Sequence, residues 1–474
     1  MSVEAVLVVL YLACCIAIGV YFARQGLSSQ EEYWVAGRNI GVAANAMAIM
    51  ASLASGGSII GVMGLAYAYG IPYTLSLFAG AILGFPMAAV LVAGPLRKFG
   101  GFTLSDFLSY RYPHAAVRWL VPLFVVFAFT VYIIAQMKAA GITAEVLLGL
   151  PYKPAVTAAA IVFILYVSIG GMLAVTWTDI VQGSLMLCVV LGTVCALMVK
   201  QGAPLALLER ATAAAPELGE MTDAPLSSLL GIFVLWAAAI PVIPHIVMRV
   251  FTAKDPRGAR LSLNLAMIAY SAMILGAVFI IVPVGKMMFP DLADQDRVFL
   301  MVMQSEFPPV VRGLAIAAVM AAVMSTTDAL LLACSAAVTH DLLGPWLERS
   351  SPRARKWVTV AVPWAIGLAA MWLAYSPPAV ITKFYSGAIG LLSASLFVPL
   401  IAGLWWKRAN TLGGVLSLCA GAAVYLVVQY GTSAPAFSAV LYALGASAAG
   451  MGVGGRLGVV SAPAILARID ELHG

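Results

Sequence analysis

Apolar runs of about 20 residues, the length that crosses a bilayer as a helix, recur along the whole chain. They predict thirteen spans, centred near residues 14, 53, 84, 133, 166, 190, 239, 273, 324, 366, 392, 420 and 446. Two of them are interrupted. The second carries Ser52, Ser55, Gly56, Gly57 and Ser58 at its middle, and glycine costs about 1 kcal/mol per residue inside a helix, so unwinding is expected there. The seventh reads WAAAIPVIPH, where Pro241 and Pro244 each remove a backbone donor. Unwound backbone at mid-bilayer is tolerated where it lines a cavity; the other reading of the small residues is a tight helix crossing. The interruptions lie five spans apart, the pattern of inverted repeats with a transport site at their interface. The chain then divides into a first helix with its inner loop (1–38), repeat one (39–200), an outer loop (201–226), repeat two (227–405) and a closing segment with the last two spans (406–474).

The ninth span, AIAAVMAAVMSTTDALLLACS, holds Ser325, Thr326, Thr327 and Asp328 at its centre. A carboxylate in hydrocarbon costs roughly 2.5 to 3.5 kcal/mol even on the forgiving insertion scale, so Asp328 must face protein, water or a cation. Hydroxyls alone would read as helix-to-helix glue or as back-bonds to the i−4 carbonyl. With an acid beside them, a coupling-ion site is the sharper reading.

Composition narrows the class. The chain is 63% hydrophobic and 10% charged, with a mean hydropathy of +1.01, which no soluble domain could cover with so few charges. The net charge of +6 does not point to nucleic acid, because the basic residues alternate by loop. With the N-terminus outside, eighteen of the 26 Lys and Arg residues, Arg249 among them, fall in inner loops or at inner helix ends and seven on the outer side, leaving Lys138 inside a span. The positive-inside rule then places the C-terminus in the cytoplasm. The first helix has an acidic Glu4 and no basic n-region, so it reads as retained rather than as a signal peptide. All six cysteines fall in apolar spans and predict neither disulfides nor a metal cluster. No phosphate-binding loop, dinucleotide fingerprint, zinc spacing or nucleophile elbow is present, so an enzyme is not expected.

Further polar residues are candidates. In the fourth span, Lys138 and Glu145 are two helical turns apart and share a face. Lys138 reads as an internal ion pair, as a snorkelling lysine, or as a cationic anchor for an anionic substrate. Gln136 and Trp236 can line the same cavity, with Ser55, Gly57 and Ser58 of the broken span. Asp179 reads either as the N-cap of the sixth span or as an acidic group on an ion's route inward. A short helix, Leu104 to Tyr110, is expected after Thr103 or Ser105.

Four stretches, GGMLAVTWTDIVQG (Gly170 to Gly183), AAVMSTTDALLLACSA (Ala321 to Ala336), EEYWVAGRNIG (Glu31 to Gly41) and LWWKRANTLGG (Leu404 to Gly414), together resemble the sodium/solute symporter family. The likeness is nearest in the acetate/monocarboxylate and pantothenate permease branch. It implies an all-α polytopic membrane protein of 13 transmembrane helices with the LeuT-type five-plus-five inverted repeat. It also implies a Na⁺ site built from the carbonyls of Ala51, Ala54 and Ala322 and the side chains of Ser325 and Thr326. Some members resemble a two-sodium design, which here would use Asp179, Ser325 and Asp328; Ala329 stands where such members offer a further hydroxyl.

The resulting expectation is Na⁺-coupled symport of a small organic solute, a monocarboxylate or other organic anion, by a monomer working through alternating access in a bacterial inner membrane. The hydroxyl-poor run Gly56, Gly57, Ser58 and Gly61 argues against a sugar. A proton-coupled or cation-independent transporter using Lys138 as fixed charge, a membrane solute sensor and a channel are the competing readings.

Overall fold

The computed structural model describes residues 2–26, 28–220, 224–376 and 381–473. Positions 221–223 of the expected outer loop lie outside the described residues. The described chain is helical, with one isolated bridge between Ile40 and Ala253. Its main helices are α1 (Val3–Gly26), α2 (Val42–Leu53), α3 (Gly57–Tyr69), α4 (Ile71–Phe99), α5 (Leu104–Arg111), α6 (Ala115–Leu148), α7 (Tyr152–Leu165) and α8 (Gly171–Gln201). The second half contains α9 (Leu226–Ala239), α10 (Pro244–Thr252), α11 (Pro256–Met288), α12 (Pro309–Leu342), α13 (Arg353–Leu373), α14 (Phe384–Trp405), α15 (Thr411–Gly431) and α16 (Ala439–Leu457).

Among the described residues ten helices are long and apolar enough to cross a membrane, or eleven if the bent pair α2–α3 is one span. The fifth predicted span corresponds to the shorter apolar α7 and the thirteenth to α16. Length and hydropathy therefore support a multi-pass bundle but stop short of the expected thirteen.

Both expected interruptions are present, and they differ in kind. α2 and α3 meet at an angle of 60°. Between α9 and α10 the helix lapses into a turn at 240–243, yet Leu226–Thr252 still runs as one span. A further break separates α7 from α8 at Gly171, where φ is +59° and a β-carbon would lie 2.7 Å from the Tyr33 ring. This break corrects one reading of Asp179. The sixth span starts at Gly171, so Asp179 lies within α8 and is not its N-cap.

α12 is the hub. From Ala315 to Ala336 every residue is buried, as expected of a helix that is apolar all round, and it packs against α1, α2, α6 and α8. The predicted short helix forms as α5. Thr103 accepts from the Asp106 amide and Asp106 from the Thr103 amide, a complete capping box.

Candidate functional site

The centre of the molecule follows from what the break does to backbone hydrogen bonds. The Ala54 amide still reaches Met50 O at 2.8 Å, but the Ser55 amide turns to Leu53 O at 2.8 Å. The Gly56 amide leaves the ladder altogether and donates to Gln136 Oε1 at 2.9 Å. Ala51 O and Ser52 O therefore lose the partners a continuous helix would supply, and a buried carbonyl must find another. Both find one on α12. Ser325 Oγ donates to Ala51 O at 2.8 Å and Thr326 Oγ1 to Ser52 O at 3.0 Å, while Ala322 O lies 3.2 Å from Ser325 Oγ.

Of the five residues expected around Na⁺, Ala51, Ala322, Ser325 and Thr326 thus meet across the α2–α12 contact. Ala54 sits at the end of α2 with φ −70° and ψ 74°. The group is fully buried and offers only neutral oxygens, a donor set that suits a hard monovalent cation once the hydroxyl protons rotate away.

The second set of expected ligands is arranged differently. Asp179 Oδ2 is held by the Arg249 guanidinium and accepts from Ser52 Oγ at 3.2 Å. Arg249 also donates to Thr176 Oγ1 at 2.5 Å, and its own carbonyl accepts from Asn45 Nδ2 at 3.0 Å. Both charged side chains are buried, at 1% and 0% exposure. Arg249, counted among the inner basic residues in the sequence, is inside the protein. Asp328 is fully buried on α12, one turn beyond Ser325.

Lys138 does not pair with Glu145. Its Nζ lies 2.9 Å from Asp296 Oδ2, with both side chains buried, and Glu145 instead meets Arg297 at 2.7 Å. Asp296 also accepts from the Ile381 amide at 3.2 Å. Of the readings open for Lys138, the internal ion pair is the one the structure displays, with a partner in the loop before α12 rather than on α6.

Beside the break is a small cavity of about 10 Å³, lined by Leu53, Ser58, Leu77, Ala81, Tyr132, Trp236, Tyr270 and Tyr385. That holds one water at most. Tyr132 Oη lies 3.1 Å from Ser55 Oγ, and Ser58 Oγ lies 3.1 Å from Tyr270 Oη. The Tyr132 and Tyr385 rings stack at 4.5 Å, and Gly57 touches Tyr385 so closely that a β-carbon would not fit. Trp236 Nε1 and Gln136 Nε2 have no hydrogen-bond partner among the described residues.

Of the expected substrate residues, Ser58 and Trp236 line this cavity, Ser55 and Gly57 touch its wall, Gln136 props the break open, and Lys138 is not in the lining. The three tyrosines were not foreseen. The one available signal was Tyr132, four residues before Gln136 and hence on the same helical face.

Residues 33–421 match the model of the sodium:solute symporter family. The chain is 28% identical to the sodium/pantothenate symporter of Escherichia coli (strain K12), over 90% of this chain and 91% of that one. It is 26% identical to the sodium/pantothenate symporter of Haemophilus influenzae, over 87% of each. A Na⁺-coupled sialic acid symporter in a substrate-bound outward-open state superposes with a TM-score of 0.82, covering 98% of this chain and 99% of that chain at 19% identity. The transporter MhsT in complex with L-phenylalanine superposes at 0.56, covering 86% and 97% at 14% identity, which speaks to the fold alone. The fold is the LeuT type, and the coupling ion is Na⁺. With its membrane-spanning bundle and a match over most of its length, this chain belongs to the sodium:solute symporter family and is a multi-pass, Na⁺-coupled solute transporter, not an enzyme.

Proposed function

We propose that this protein couples Na⁺ entry to uptake of a small organic carboxylate, with pantothenate the first substrate to test. The observation that carries the reading is the release of Ala51 O and Ser52 O by the broken helix, directly opposite the hydroxyls of Ser325 and Thr326. Na⁺ bound by Ala51, Ala54, Ala322, Ser325 and Thr326 would replace these hydrogen bonds and join α2 to α12. Ion and substrate need not touch; it is enough that both favour the same state of the bundle. The relatives named for pantothenate transport support a carboxylate substrate.

Ser55, Ser58 and the three tyrosine hydroxyls supply the donors a carboxylate and its neighbouring polar groups require. Segments 39–200 and 227–405 would be the inverted repeats, in a monomer with its N-terminus outside a bacterial inner membrane. Asp328 remains the candidate for a second ion or a proton. The cation-independent alternative drew on Lys138 as a fixed charge, which the Asp296 carboxylate offsets.

Uptake of radiolabelled pantothenate into proteoliposomes, with an inward Na⁺ gradient and with K⁺ in its place, tests the proposal. Accumulation that requires Na⁺ is expected. Accumulation indifferent to Na⁺ would sink the coupling, and Na⁺-dependent uptake of acetate but not pantothenate would move the substrate to a smaller acid.

A further inference from the structure

The central cavity, at about 10 Å³, has no room for an organic solute, so part of its surroundings must move for one to enter. Ser52, before the break in the second span, meets the Asp179–Arg249 pair. Beyond the break, on the other side of the cavity, lies the segment 289–297, which follows α11.

Three helices that line the cavity run on toward this segment. α3 leads from Ser58 to Gly61 and Gly64, α6 from Tyr132 to Lys138, and the helix that continues as α14 leads back from Tyr385 to Ile381. Steps of three or four residues keep to one helical face, and six residues rise about 9 Å. Asp296 stands where the three meet. Its carboxylate takes Lys138 Nζ at 2.9 Å and the Ile381 amide at 3.2 Å. Its backbone comes within 3.0 Å of where a β-carbon on Gly64 would be, so the segment seats this deeply only because Gly64 has no side chain. The Lys138 and Asp296 side chains are 5% and 2% exposed.

The segment is tied down at its rim as well. Arg297 meets Glu145 of α6 at 2.7 Å, the Leu292 amide donates to Tyr67 Oη at 3.0 Å, and the Tyr67 hydroxyl donates to Phe289 O. These contacts are polar. An apolar seal would expose hydrocarbon on parting, at about 25 cal/mol per Å², whereas water takes up charges and hydrogen-bonding groups as they separate. A buried ion pair adds little net stability over apolar residues of the same size, and selecting one of two states is its best-attested use.

We propose that the segment 289–297 is a lid over the solute cavity and that the Lys138–Asp296 pair is its latch, joined in this structure and parted when the cavity opens to this face. The inference rests on the transport reading for the role of the cavity, and on neither the coupling ion nor the identity of the solute. With the N-terminus outside, the lid faces the exterior.

The test is modification of a reporter thiol in the full-length protein in detergent, with the six native cysteines replaced by serine. Ala81→Cys puts the thiol in the cavity wall, and Ala174→Cys puts it in the buried start of α8, on the other side of the break. Asp296→Asn strands the Lys138 charge in the latched state, so a water-soluble maleimide should modify the Ala81→Cys reporter roughly tenfold faster. The Ala174→Cys reporter should react at an unchanged rate. Glu145→Gln, which loosens the rim and leaves the buried pair in place, should accelerate the cavity reporter by a smaller factor and serves where Asp296→Asn does not fold. Lys138→Met with Asp296→Leu, which strands no charge, should return the rate toward that of the parent. No acceleration in either single variant, or equal acceleration at both reporters, would overturn the assignment. The reaction involves no solute and no Na⁺, so its failure is read separately from a failure of pantothenate uptake.

Discussion

Arg249 of α10 and Asp179 of α8 form an ion pair from which water is excluded, and Ser52, whose carbonyl receives Thr326, hydrogen-bonds to the same carboxylate oxygen. The first half of the broken second span (α2), the sixth span (α8) and the second half of the seventh (α10) are thereby tied together one residue from the candidate Na⁺ site. The Arg249 guanidinium already offsets the charge of Asp179. If the site between α2 and α12 alone couples transport, uptake should depend on Na⁺ with a Hill coefficient of about 1; a coefficient near 2 would call for a second ion, with Asp328 rather than Asp179 its candidate ligand.

Removing one partner of a buried pair leaves the other charge stranded, at a cost of roughly 3–5 kcal/mol, whereas replacing both with apolar groups is often close to neutral. Arg249→Met should accordingly lower the unfolding temperature sharply, and the Arg249→Met, Asp179→Leu double variant should regain most of the loss. A double-mutant cycle on thermal stability reads this directly.

Lys138 and Asp296 make the same kind of prediction and separate two roles for the lysine. As a structural pair they should show destabilisation in Lys138→Met and in Asp296→Asn, with much of the loss recovered in Lys138→Met, Asp296→Leu. If Lys138 instead held the substrate carboxylate, Lys138→Met would raise KM at unchanged stability. Thermal unfolding alongside initial uptake rates distinguishes them.

At the candidate Na⁺ site, Ser325→Ala and Thr326→Ala each remove a neutral oxygen ligand. With a hydrogen bond to a charged group worth about 1.5–3 kcal/mol as a guide, each should raise the Na⁺ concentration for half-maximal uptake by roughly 10- to 100-fold. Ser335→Ala, further along the same buried helix, should leave the Na⁺ dependence alone. Equal effects at all three positions would mean general damage to α12.

Outside the membrane spans, burial alone would raise the Asp106 carboxyl, but its bonds from His340 and from the Phe102 and Thr103 amides hold it below its ordinary value. A carboxyl lowered in the folded state contributes stability that is complete above its unfolded pKa and is lost as pH falls through the folded value. Asp106→Asn should thus cost stability at neutral pH. The gap to the parent protein should narrow below about pH 4, as followed by unfolding temperature against pH.

The membrane class, the two interrupted spans and the STTD stretch were legible in the sequence because each depends on local chemistry. Apolar length sets a span, paired glycines and prolines break a helix, and an acid in an apolar run demands a reason. The meeting of Ala51 and Ser325 could be expected only through resemblance, since nothing local links residues so far apart in the chain.

What the tertiary structure alone decided was the choice of partner. Lys138 had Glu145 at ideal helical spacing and took Asp296; Asp179 looked like a cap and took Arg249; Arg249 looked like a loop cation and went inside. In a low-dielectric interior a charge is stabilised by whichever opposite charge the packing brings within about 3 Å. Packing among helices distant in sequence leaves no periodic trace. The tyrosine-lined cavity is hidden for the same reason: Tyr132, Tyr270 and Tyr385 lie on three different helices and converge only when α6, α11 and α14 assemble around the broken span.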